Sequence, residues 1–79
     1  MSMEDVGASV RQIIADFFHV PVESVGDQTK AEEVAGWDSF AHGQLILELE
    51  TRLKKTLPID RLFDVDDVGQ LIAVIEGRS

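Results

Sequence analysis

Near the start of the chain, Val6, Val10, Ile13, Ile14 and Phe17 recur at i, i+4, i+7, i+8 and i+11. That spacing returns repeatedly to one face of an α-helix. It predicts a first helix over about residues 3–18. Glu4 and Asp5 fall in or near its first turn and His19 at its far end, placements that suit the helix dipole. The period is then lost. Residues 19–38, HVPVESVGDQTKAEEVAGWD, hold two glycines and a proline and read as a long loop, with Val20, Val22 and Val25 pinning it to the core. So long a structureless loop in a small domain signals either function or a missed turn of helix.

The helical period resumes from about Ser39 to Lys55. At about 100° per residue, Leu45, Ile46, Leu49 and Leu53 share one arc wide enough for a core stripe. Glu48–Arg52 and Glu50–Lys54 are i,i+4 pairs in the favourable order. Lys54 and Lys55 suit the C-terminal end, and Pro58 stops the helix. Residues 59–64, IDRLFD, predict a short helical turn with Leu62 and Phe63 inward. Asp66 is placed to cap a last helix over 67–76, whose Val68, Leu71, Ile72 and Ile75 line one face and which Gly77 ends. The expected fold is all-α: a small four-helix bundle of three main helices and one short one, with a long first loop.

Phe40 and Leu47 do not fit this core pattern. They lie roughly opposite the core stripe of the second helix, with Gly43 between them and Ser39. Isolated exposed apolar residues are common. Phe40 folding back onto the loop, with Leu47 incidentally exposed, is one reading; a small docking patch beside Ser39 is the other.

Composition narrows the classes. Seventy-nine residues, 44% of them hydrophobic, make one small folded domain. Fifteen acids against seven bases, a net charge of −8, argue against nucleic acid and favour a basic partner surface. With no cysteine, neither disulfides nor a cysteine metal site is possible. MSMEDVGAS has no basic n-region of a signal peptide, and no apolar run approaches the roughly 20 residues that cross a membrane. A cytoplasmic, monomeric domain is expected, without membrane association.

Chemistry of its own finds little support. Ser39 and His42 are three apart, but GWDSFAH lacks the G-x-S-x-G elbow and a third group to orient the imidazole. On the wheel His42 points toward the core stripe, as a partly buried, hydrogen-bonded side chain would. DVDDVG fails as a calcium loop, because Val68 and Ile75 stand at its fifth and twelfth positions. These residues describe a non-enzyme.

GWDSF followed by LILELE, then LPIDRLFDVDDVGQLIAVI, resembles the acyl carrier protein family, peptidyl and aminoacyl carriers included. The resemblance spans nearly the whole chain and is carried by the Asp-Ser-apolar motif at the start of the second helix. It implies a single carrier domain over residues 1–79. It implies that Ser39 is esterified by 4′-phosphopantetheine, transferred from coenzyme A by a phosphopantetheinyl transferase, and that the terminal thiol then carries a thioester-linked acyl or aminoacyl group. Asp38 would flank the attachment point and help position the transferase's metal. Phe40, Gly43 and Leu47 would join Arg61, Leu62 and Phe63 of the short helix as a partner-recognition face. The implied partners are the transferase, an acyl- or aminoacyl-loading ligase and downstream acyl-using enzymes.

The second helix departs from the fatty-acid-synthesis pattern, with Ala41, Gln44 and Thr51 where acids are usual, and Trp37 precedes the aspartate. The expectation is a dedicated carrier in a specialised pathway. The start at Met1 and the end two residues past Gly77 suit a free-standing protein, an excised domain being the alternative. The rival to the carrier reading is a helical interaction module in which Ser39 only caps a helix.

Overall fold

A computed structural model describes residues 6–77. Its described residues form four α-helices and no strand: α1, Val6–Phe18; α2, Ser39–Leu53; α3, Ile59–Leu62; and α4, Val68–Ile75. The expected placement of Glu4 and Asp5 lies outside the described residues. Each main helix buries the stripe its period marks out. Val10, Ile13 and Ile14 of α1 meet Leu45, Ile46 and Leu49 of α2 and Val68, Leu71, Ile72 and Ile75 of α4 in one core, with Val6, Phe17 and Leu53 packed at its edge. Among the described residues no helix is long and apolar enough to cross a membrane.

The long loop has two single helical turns, 3-10 in geometry, at Val22–Ser24 and Ala31–Glu33. Val25 is buried, and Val20 and Val22 pack against the core, as the pattern predicts. The loop also completes α4. The first N–H groups of a helix have no partner within it. Val68 N–H donates to the Thr29 carbonyl at 2.9 Å and Gly69 N–H to the Asp27 carbonyl at 2.7 Å. A Cβ on Gly69 would stand 2.9 Å from that Asp27 oxygen, so only glycine admits so close an approach. Arg11 Nη1 holds the Asp27 carboxylate at 2.9 Å, tying the same loop to α1.

Two boundaries, one ion pair and one side-chain placement differ from expectation. Asp67, not Asp66, caps α4, accepting from Gln70 N–H at 2.9 Å. Both acids are typical caps, and the loop contacts to Val68 and Gly69 set the helix start one residue later. α2 ends at Leu53, five residues short of Pro58, because Lys54 turns left-handed at φ 58°. No Glu50–Lys54 ion pair forms among the described residues. The turn takes Lys54 off the helix face, and Glu50 Oε2 accepts instead from Leu57 N–H at 2.8 Å. Glu48–Arg52 does form, at 2.7 Å, and Arg52 also reaches Asp16 on α1 at 3.5 Å. In the short helix Leu62 is fully buried as expected, but Phe63 is 49% exposed and lies on the surface over α2.

Candidate functional site

The start of α2 is built by the chain just before it. Gly36 takes φ 89°, a turn that a side chain would strain. Asp38 follows in extended geometry, and its Oδ1 accepts the N–H of Ala41 at 2.8 Å. Its carbonyl accepts the N–H of His42 at 2.8 Å. Asp38 is therefore the N-cap and Ser39 the first helical residue, correcting the reading in which Ser39 caps the helix. The distinction matters chemically. A capping serine would have its oxygen committed to the backbone, whereas Ser39 is exposed and its hydroxyl makes no hydrogen bond among the described residues.

Two open grooves flank Ser39. One, of about 400 Å³, runs along α2 toward α3 and is lined by Phe40, Gly43, Gln44, Leu47 and Ile59. The other, of about 300 Å³, faces the loop and is lined by Glu32, Trp37, Asp38, His42, Phe63 and Val65, with Ala31 at its edge. The large hydrophobic side chains exposed on the described surface are Phe40 at 76%, Leu47 at 57%, Phe63 at 49% and Ile59 at 42%. All four line these two grooves. Gly43 lies under the Phe63 ring: a Cβ there would make an ordinary contact, 3.7 Å from Phe63 Cζ.

Of the recognition residues expected from sequence, Phe40, Gly43 and Leu47 share one groove with Ser39, and Phe63 lines the other. Arg61 is exposed on α3. Leu62 is corrected: its side chain is fully buried, so it supports the face from within and presents nothing to a partner. Ile59, Trp37, His42, Glu32 and Val65 were not expected at the site. Ile59 alone carried a signal, as an apolar residue directly after Pro58 at the start of the short helix. His42 is partly buried and hydrogen-bonded, as its wheel position predicts. Both its ring nitrogens are engaged, with Trp37 and the Leu62 carbonyl, and neither bonds to Ser39.

The position suits a phosphodiester on the serine oxygen. The N–H groups of Ser39 and Phe40 open a fifteen-residue helix, whose N-terminal end favours an anion. Substituting the Ser39 oxygen removes no bond that holds the helix, because Asp38 supplies the cap.

A family model described as "Phosphopantetheine attachment site" matches residues 8–75. The chain is 27% identical over 79 residues to an acyl carrier protein of Lactobacillus acidophilus, covering all of this chain and 99% of that protein. It is 29% identical over 75 residues to the acyl carrier protein MbtL of a Mycobacterium species, covering 95% of this chain and 84% of that one. It is also 31% identical over 75 residues, 95% of this chain, to a 3-methylorcinaldehyde synthase of a Phoma species, of whose length it spans 3%.

Proposed function

Because this chain belongs to the phosphopantetheine attachment site family, whose covalent group is 4′-phosphopantetheine and whose domain is a carrier and not itself catalytic, we propose that Ser39 bears that group. The observation that carries the assignment is the exposed, uncommitted Ser39 hydroxyl at the first position of α2, with Asp38 doing the capping. Bound there, the group supplies a thiol on which an acyl or aminoacyl chain rides as a thioester. The protein's own residues do the rest. Asp38 caps the helix start, and the N–H groups of Ser39 and Phe40 would favour the phosphodiester anion. The flexible tether keeps its cargo at high effective concentration near each docked enzyme.

Carrier proteins work with a phosphopantetheinyl transferase and with acyl-using enzymes. Here the docking face comprises Phe40, Gly43, Leu47, Ile59 and Phe63, with Arg61 at its margin and Leu62 beneath. A loading ligase and downstream acyl-using enzymes would meet the same face. Its apolar character supports a dedicated carrier in a specialised pathway, since Ala41, Gln44 and Thr51 place no charge along this part of α2. The match to a 3-methylorcinaldehyde synthase is in keeping with that reading. The proposal extends to one monomeric carrier domain over residues 1–79, cytoplasmic and without a catalytic site of its own. The match over 8–75 supports its single-domain part.

The test is an intact mass after incubation with coenzyme A, magnesium and a broad-specificity phosphopantetheinyl transferase. Gain of one phosphopantetheine by the wild type and none by Ser39→Ala is the expected result. Loading of Ser39→Ala, or no loading of the wild type by a transferase active on a control carrier, would overturn the assignment.

A further inference from the structure

His42 makes no bond to Ser39, yet it joins three separate parts of the molecule. Its ring sits in the first turn of α2. Trp37 Nε1 donates to its Nδ1 at 2.9 Å. An indole N–H only donates, so Nδ1 holds a lone pair and the ring proton is on Nε2. Nε2 then donates to the Leu62 carbonyl, 2.8 Å away at the end of α3. The Trp37 and His42 rings lie side by side, as the bond between them requires, within 23° of coplanar and 6.0 Å between centroids, and Phe63 meets the His42 ring edge-on at 4.9 Å. Phe18 stacks on Trp37 at 4.9 Å, extending the assembly to α1.

α3 needs such an anchor. It has four residues, and its N-cap, Pro58, makes no side-chain capping bond. A helix this short does not hold itself together. Beside its packing on α4, it is held by the buried Leu62 side chain, the Phe63 ring against His42, and the bond from His42 to the Leu62 carbonyl. The same short segment carries Ile59, Arg61 and Phe63, the part of the docking face that α2 does not supply.

We propose that His42 is a positioning residue for the reaction at Ser39: its neutral, Nε2-protonated ring clamps α3 and the Trp37 turn against the start of α2, and so sets where the α3 half of the docking face stands relative to Ser39. The clamp follows from the contacts alone, while its bearing on loading rests on the carrier reading above. The structure separates the two bonds of the ring, and so do two substitutions. In His42→Asn the amide oxygen takes the place of Nδ1, keeping an acceptor for Trp37 but losing the reach to Leu62. In His42→Gln the amide nitrogen takes the place of Nε2 and restores the donor to Leu62.

The experiment has two arms. In the unmodified protein, NMR hydrogen exchange follows the Leu62 and Phe63 amides and the indole N–H of Trp37, the one tryptophan of the chain. In the second arm, kcat and KM are measured for transferase loading of wild type, both variants and Val74→Ala. Val74 is a partly buried α4 residue, outside both grooves, and controls for lost stability alone. In His42→Asn the α3 amides should exchange about five- to tenfold faster, the effect of one neutral hydrogen bond, with the indole N–H still protected. KM should rise several-fold with kcat little changed, and His42→Gln should recover most of both effects. Unchanged α3 exchange in His42→Asn, an unchanged KM, or an equal KM rise in Val74→Ala would each overturn the proposal. Failure of the wild type to load would overturn the carrier reading and the role in loading together, and would leave the exchange arm to decide the clamp.

Discussion

Ser39 and Asp38 are neighbours with opposite duties, and their energetics should separate cleanly. Asp38 accepts from Ala41 N–H at 2.8 Å, so Asp38→Ala removes a helix cap. Chemical denaturation should show a loss of about 1 kcal/mol. Ser39→Ala removes an exposed hydroxyl at the first helical position, and the same measurement should stay within about 0.5 kcal/mol of wild type. Loading should vanish in Ser39→Ala and slow in Asp38→Ala, which loses the flanking carboxylate expected to help position the transferase's metal as well as the cap. Phe40 and Leu47, at 76% and 57% exposure, belong to the same argument. Phe40→Glu or Leu47→Glu should leave the melting temperature nearly unchanged and raise the KM for transferase loading. A drop of several degrees would instead place these side chains in the core. The residue types at this site were legible in the sequence, and the Asp-Ser-apolar motif pointed to the serine that opens α2. Which of the two neighbours caps the helix was not legible, because either can, and a backbone turn at Gly36 decides it.

Elements show where pattern suffices and where it does not. The main helices were readable because each buries a stripe that repeats every three or four residues, whatever it packs against. Ends and short segments depend on contacts distant in sequence. α4 begins at Val68 because carbonyls of Asp27 and Thr29, about forty positions earlier, take its first N–H groups. Two glycines should therefore respond in opposite senses. Gly69→Ala puts a Cβ 2.9 Å from the Asp27 oxygen and should lower stability by about 1–3 kcal/mol. Gly43→Ala meets only Phe63 at 3.7 Å, an ordinary contact inside a helix. It should raise stability by about 0.5–1 kcal/mol, because alanine loses less backbone entropy there. Denaturant midpoints of the two variants check both signs. The inward reading of Phe63 failed for a related reason. A four-residue helix has too few positions to define a buried face, and the position of α3 is set by Leu62 and His42.

At the scale of the whole molecule, one small core carries the fold. Leu45, Ile46 and Leu49 of α2 are fully buried against Ile14, Leu71 and Val68. Leu45→Ala should cost about 2–5 kcal/mol through lost burial and the cavity left behind. That is a large share of the total stability of a domain this size, on the order of 4–12 kcal/mol at about 0.05–0.15 kcal/mol per residue. Thermal unfolding followed by circular dichroism should show the transition shifted down by well over ten degrees, or no cooperative transition left. The sequence alone determined the all-helical class, the three main helices, the buried stripes, the acidic surface and the serine at the start of α2. These follow from local periodicity and composition, which every segment carries within itself. Tertiary structure decided that the Ser39 hydroxyl is free, that Phe63 and Ile59 reach the surface, and that Trp37, His42 and Leu62 meet. Those outcomes depend on hydrogen bonds and packing between segments far apart in the chain, which no local pattern encodes.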